Sequence, residues 1–277
     1  MRSYGDNTLP RIIHWLREDL LDAPEADVKE VHSQSIAGKP EYITKEIENV
    51  TFQTLLPSEA KDLADITGAN LPWAEDHFRE RVSGKPLNPP PSAAWWPYAQ
   101  KGHAEHTDEN EKFSHTYPER FWPKFAERVP VPEGAERKIR ASNKGIRYRY
   151  GDLLDVVGQL HKNPATRQAY LPVWFPEDTG ATQGQRVPCT LGYHFLIREN
   201  RLNITYFIRS CDFMRHFRDD VYMAGRLAQW VRYELMKREG PEDLPVPQGL
   251  VVGHLTMHIV SMHIFKGDVP TLERQHA

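Results

Sequence analysis

The chain has 277 residues, of which 39% are hydrophobic and 26% charged, with a formal charge of -3. That balance supports a buried core, excludes a disordered chain, and lacks the basic excess of a protein that wraps nucleic acid. Only two cysteines occur, Cys189 and Cys211, so a disulfide scaffold and a thiolate-rich zinc site are excluded.

In chain order, residues 1–20 mix charge with apolar residues and lack the apolar centre of a signal peptide. With no run long enough to span a bilayer, the expectation is a soluble cytoplasmic protein. Thr8 to Leu21 holds a short amphipathic helix, with Pro10 near its start. Tyr42 to Leu56 alternates in part and predicts a strand, and Ala74 to Val82 a short helix. Leu87 to Pro97 (LNPPPSAAWWP) is a rigid connection. The His-rich stretch from Lys101 to His115 reads as a solvated loop, and Arg137 to Arg149 as a basic face. Asp152 to Lys162 places Leu153, Leu154, Val157 and Leu160 on one helical face, and Tyr170 to Phe175 predicts a strand. Thr190 to Ile197 and Leu202 to Ile208, separated by Arg198-Glu-Asn-Arg, predict a β-hairpin. Asp219 to Lys237 is helical, and Leu250 to Phe265 reads as one or two strands. Strands and helices interleave without a βαβ rhythm, which points to an α+β fold. One domain over 1–277 is expected, with surface insertions near 84–116 and 129–150.

Chemistry centres on Cys189, where a loop gives way to a strand. A thiol becomes a nucleophile when its thiolate is favoured by a nearby cation or dipole. If the hairpin forms, the end of its second strand, Arg209-Ser210-Cys211-Asp212, approaches Cys189. Arg209 and Ser210 suit a phosphate, with a forked guanidinium beside a hydroxyl. The bland reading of Cys189 is a buried structural thiol. His254, His258 and His263 do not have the spacing of a tight metal site, and no metal is expected.

Pro188-Cys189, a strand, and then Arg209-Ser210-Cys211-Asp212 resemble the thymidylate synthase family. Phe217-Arg-Asp-Asp220 continues the resemblance, with Asp220 eight residues beyond Asp212. His258 resembles the family's late histidine, Glu75 with Phe78 its catalytic glutamate segment, and Tyr117 the tyrosine of its FSHTYPERFW-like loop. Asn163-Pro-Ala-Thr-Arg167 resembles the segment whose arginines reach across a dimer.

The resemblance implies a sheet-mediated α+β homodimer that uses 5,10-methylenetetrahydrofolate to modify C5 of a pyrimidine nucleotide. It implies Cys189 as nucleophile, with Glu75, Tyr117 and Asp220 as further catalytic residues. Arg209, Ser210 and Arg167 from the partner subunit would hold the phosphate, and His258 the sugar. Asp212 and one or both of Trp95 and Trp96 would meet the folate. Neither a membrane nor a nucleic acid is required.

Three departures refine the resemblance. Uracil-specific enzymes carry Asn where Asp220 stands, and a carboxyl suits the N4 donor and N3 acceptor of cytosine. Asp220 and Cys189-Thr190 therefore resemble the deoxycytidylate hydroxymethylase branch, which makes 5-hydroxymethyl-dCMP for phage DNA. Asp219 is adjacent and takes the role if the register slips by one. Gln168 replaces the second segment arginine, and Val260 replaces the tyrosine beyond the family histidine, leaving sugar selectivity open. A dCMP methylase, a dUMP-using enzyme and an inactive nucleotide- or RNA-binding homologue remain alternatives.

Overall fold

The computed structural model describes residues 2–5, 8–26, 40–97, 111–123, 151–179, 187–238 and 246–276. The basic stretch 137–149, the 129–150 insertion, His103 and His106 lie outside the described residues.

The elements follow in order: β1 (Arg2–Tyr4), α1 (Leu9–Asp22), β2 (Glu25–Ala26), β3 (Thr44–Leu55), α2 (Ala60–Thr67), α3 (Trp73–Arg81), α4 (Tyr117–Phe121), α5 (Leu153–Lys162), β4 (Tyr170–Pro172), α6 (Pro176–Thr179), β5 (Thr190–Arg198), β6 (Arg201–Asp212), α7 (Phe217–Met236), β7 (Val251–Phe265) and α8 (Val269–His276). The strands form a mixed seven-stranded sheet in the order β1-β3-β7-β6-β5-β4, with β2 paired to β3 off that path. β6 and β7 run parallel, joined by α7, whereas β5 and β6 form the expected hairpin. Its turn residues Glu199 and Asn200 both adopt positive φ, 51° and 58°. Two left-handed residues match the twist of a tight hairpin turn, which Asn tolerates well.

One face of the sheet, with Phe52, Tyr193, Phe195, Ile204, Tyr206, Met257 and Ile259, is buried in the core. The helices bury their own apolar stripes in the same core: Ile12, Leu16 and Leu20 from α1, Leu153, Val157 and Leu160 from α5, and Val221, Ala224, Leu227, Ala228 and Val231 from α7. α7 is flanked closely by α2. A Cβ on Gly225 would stand 2.6 Å from Leu63 Cδ2, so only glycine permits that approach.

The in–out alternation of three neighbouring strands slips at one level. β3 buries Ile47 and then Val50, β6 buries Ile208 and then Cys211, and β7 buries Ile259 and then Met262. These breaks are in register: Val50 and Ile208 both pair with Ile259, and Glu48 and Ser210 both pair with Ser261. Two successive residues off the core face bend a strand and re-aim its side chains. Here the slip frees Arg209 and Ser210 from the core and turns Cys211 into it.

Residues pointing away from the core form a second sheet face. Leu55 and Val260 are about half exposed there, at 51% and 50%. Between them, Phe207 and His258 stack at 5.2 Å, and His258 Nδ1 lies 3.0 Å from Thr51 Oγ1.

The predicted helices and the hairpin agree with the structure within a few residues, except that Leu154, expected on the apolar face of its helix, is 42% exposed, with Val156 buried there instead. The predicted strand from Tyr170 shortens to Tyr170–Pro172, because Val173 and Trp174 bond instead to the single carbonyl of Leu191. Leu250 to Phe265 is one strand, not two. Among the described residues, no helix is long and apolar enough to cross a membrane.

Candidate active site

The hairpin brings its two ends together as the sequence predicts. The Arg209 backbone N–H donates to the Cys189 carbonyl at 2.9 Å. The Arg209 guanidinium donates to the carbonyls of Pro188 (2.9 Å) and Val187 (3.1 Å) and lies 5.8 Å from the Trp174 ring centroid. Arg209 thus pins the loop that presents Cys189. Cys189 is half-buried, whereas Cys211 is buried.

Behind Cys189 lies a chain of hydroxyls. Thr190 Oγ1 is 3.0 Å from Tyr117 Oη and 2.8 Å from Tyr206 Oη, and Tyr206 stacks on Tyr193 at 4.6 Å. Burial raises the pKa of Tyr117, and a neighbouring charge on Cys189 would raise it further. The same is true of Tyr206, with burial first and Asp220 next. These phenols are therefore protonated at neutral pH and can donate or relay a proton.

The two acids at the start of α7 separate cleanly. Asp219 is buried and accepts from the backbone N–H (2.8 Å) and side chain (2.9 Å) of Asn70, locking the α2–α3 connection. Asp220 turns toward β6, where the Cys211 thiol donates to its Oδ2 at 3.8 Å. Burial pushes the Asp220 carboxyl up to about 7, against the opposing pull of Arg81 and with a further push from Asp219. Asp220, not Asp219, is the acid that faces the Cys189–Thr190–Tyr206 group.

Asp212 ends β6 and organises the turn into α7. Its Oδ1 accepts from the backbone N–H groups of Met214 and Arg215, and its Oδ2 from the Arg215 guanidinium. Ser210 is half-buried and pairs with Ser261. Arg167 is exposed, and its carbonyl is 3.0 Å from His194 Nε2, close to the β4 edge. Trp96 stacks on His216 at 5.0 Å, whereas Trp95 is 42% exposed.

Two predicted residues sit apart from this group in their contacts. The Glu75 carboxylate faces α7, accepting from Tyr222 Oη (2.9 Å), Arg226 (2.9 and 3.0 Å) and Arg79 (3.0 Å). Burial opposes its charge, but Arg226, Tyr222 and Arg79 together hold its pKa below the ordinary value. His258 lies on the second sheet face with Phe207 and Thr51. The histidine that the register sets opposite Asp212 is His263.

Several residues of the site escaped the sequence reading. Arg81, at the end of α3, lies over the Tyr117 ring with its guanidinium carbon 3.9 Å from the centroid, and is only 4% exposed. Its position on the stripe Ala74, Phe78, Arg81 was a legible signal, since an arginine at an apolar position needs a reason. Tyr206 and Trp174 gave no local signal. A neighbouring cluster fixes the segment that carries the tryptophans: Ser92 Oγ is 2.7 Å from His77 Nδ1 and donates to Glu80.

Taken together, the fold gathers a half-buried thiol, an arginine and a serine at the end of the paired strand, and a buried carboxyl titrating near 7 into one group. A model of the thymidylate synthase family matches residues 91–231, half of the chain, and the chain belongs to that family. It is also similar to two archaeal proteins provisionally named thymidylate synthase. One, from Methanothermobacter thermautotrophicus, is 28% identical over 160 residues, covering 50% of this chain. The other, from Methanococcoides burtonii, is 29% identical over 156 residues, covering 52%. The matches span 65% of the length of each of these relatives.

Proposed function

We propose that the protein transfers a one-carbon unit from 5,10-methylenetetrahydrofolate to C5 of dCMP, giving 5-hydroxymethyl-dCMP. The observation that carries the substrate is Asp220, whose carboxyl titrates near 7 beside the Cys189 hairpin. Ionised, it accepts from cytosine N4; protonated, it donates to N3. An Asn at this place would suit uracil instead.

The Cys189 thiolate adds to C6, and the electron pair released to C5 attacks the methylene carbon of the co-substrate. Loss of the C5 proton and departure of tetrahydrofolate leave an exocyclic methylene. Water adds there and the thiolate leaves. Tyr117, with Thr190 and Tyr206, provides the proton relay, and Glu75 orients α3 beneath it through α7. Arg209 and Ser210 hold the phosphate with Arg167 of a second copy. The second sheet face, with exposed Leu55 and Val260, is the surface through which two copies pair. Asp212 and Trp95, the more exposed of the two tryptophans, meet the folate, with Trp96 packed behind. Sugar contact falls to His258 or, from its register with Asp212, to His263.

The names of the archaeal relatives favour a second reading, methylation of dUMP. Incubation with methylenetetrahydrofolate and each of dCMP, CMP and dUMP, followed by mass analysis, separates the readings. Hydroxymethylation adds about 30 Da and methylation about 14 Da, set by whether water or hydride completes the reaction. The expected result is the larger gain on dCMP. Turnover on dUMP alone would overturn the substrate assignment. Undiminished turnover by Cys189→Ser would overturn the covalent mechanism.

A further inference from the structure

Arg81 is the most unusual charge in the described structure. It is 4% exposed, and its Nε is buried without a hydrogen-bond partner. Among the described residues its guanidinium makes no ion pair. Its backbone carbonyl accepts from Trp122 Nε1 at 2.8 Å. A buried guanidinium with an unmet donor is costly, and native proteins meet such donors almost everywhere. The face of Tyr117 offsets part of that cost. The end of α3, where helix carbonyls collect, offsets a little more.

The place of this orphan donor is informative. Tyr117, under the guanidinium, is 3.0 Å from Thr190, the residue that follows Cys189. Arg81 also acts on the carboxyl of Asp220. It therefore stands among the nucleophile's neighbour, the relay tyrosine and the base-facing acid, with its buried Nε donor unmet. A donor kept unmet in the free protein suits an acceptor that arrives with the ligand.

We propose that Arg81 is a catalytic residue, donating to the acceptor edge of the bound pyrimidine and carrying the negative charge that reaches this edge when Cys189 adds to C6. This inference rests on the thiol-addition reading above and assigns it a charge-stabilising partner. In the addition, the S–C6 bond forms and the C5=C6 pair shifts to join C5 to C4. The C4=N3 pair of cytosine then comes to rest on N3 and, through C2, on O2. In uracil the same shift ends on O4. A preorganised buried cation at that edge is worth far more than one in water. Asp220 and Arg81 thus form an acceptor and donor pair that spans one edge of the base.

The test needs no folate. After thiol addition, C5 takes a proton from solvent, and reversal of the addition releases the original C5 hydrogen to water. In D2O the full-length protein should therefore exchange H5 of dCMP, or of dUMP, followed by proton NMR. Arg81→Met should slow this exchange about 100- to 1000-fold, the range for loss of one charge-stabilising donor. Arg81→Lys should retain part of the rate. Calorimetric nucleotide binding should change far less than the rate. Where Arg81→Met gives no cooperative melt, Arg81→Gln and Arg81→Lys read the same exchange.

Exchange by the native protein that Arg81→Met leaves unchanged would overturn the role of Arg81 alone. Unchanged exchange together with lost folate-dependent product would assign the guanidinium to the folate and overturn it equally. Absence of exchange in the native protein with either nucleotide would overturn thiol addition, and the Arg81 assignment with it.

Discussion

Replacing Asp220 with Asn tests the electrostatics of the site through stability alone. The Asp220 carboxyl titrates near 7 in the folded chain against an ordinary value of 3.8. Between these pH values the folded protein holds a proton that the unfolded chain has released. Unfolding then releases that proton, so stability falls as pH rises from about 4 to 7 and stays lower above. The interval corresponds to about 4 kcal/mol, at about 1.4 kcal/mol for each tenfold change in proton affinity. Asn keeps the shape and removes the titration. Asp220→Asn should match the native protein at and below about pH 3.5 and exceed it by a few kcal/mol at pH 8, measured by urea unfolding at each pH. Subtracting the two curves cancels titrating groups that do not touch Asp220. A difference that stays flat from pH 4.5 to 8 would refute a raised Asp220 pKa, and with it the claim that both protonation states are in reach at neutrality.

Three further substitutions probe the scaffold. Glu75→Gln strips Arg226 of its charged partner in a half-buried setting and should cost about 1–3 kcal/mol, with most of that cost absent in an Arg226→Met background; additive losses in the double-mutant cycle would deny the pairing. Gly225→Ala drives a Cβ into Leu63 at 2.6 Å and should cost about 1–3 kcal/mol, whereas an unchanged melting temperature would mean that α2 shifts freely. His77 is held neutral chiefly by burial and then by Arg81, its pKa lowered to about 4 from 6.5; its contribution is present above pH 6.5 and lost as pH falls toward 4, so His77→Gln should flatten the acid limb of the stability curve, and an unaltered limb would contradict it.

Legibility from sequence followed the range of the interactions. The amphipathic helices α1, α5 and α7 and the β5–β6 hairpin were readable because their signals repeat locally, every three to four residues or every two. α2, only eight residues long, and α8 went unread. β1 is held by parallel pairing to β3 residues 48 positions further along the chain, which no local pattern announces. Within the site, the approach of Cys189 to Arg209 followed from the hairpin alone. Glu75 and His258 came from resemblance, and their side-chain contacts depend on tertiary packing. Glu75 meets α7 because Arg226 falls on the α3-facing side of that helix. His258 faces away from the core by plain alternation between buried Met257 and Ile259, whereas His263 does so only because the alternation slips at Val260 and Ser261, a feature shared by three strands and invisible in any one of them.

That shared slip also explains why the chemistry sits where it does. A continuous alternation in β6 would put Ser210 on the core face after Ile208 and turn Cys211 away from Asp220. With the slip, Arg209 and Ser210 are both free of the core, and Cys211 returns to the helix side beneath α7. A single strand could not slip without breaking its pairing to its neighbours. Because β3, β6 and β7 slip together, their pairing stays in register through that level: Glu48 and Ser210 still oppose Ser261, while Ile47 and Cys211 oppose Met262. The bend is therefore a property of the sheet and is held by three strands at once. It places Arg209 and Ser210 on one side of β6 and the Cys211–Asp220 pair on the other, at the end of the strand paired to Cys189.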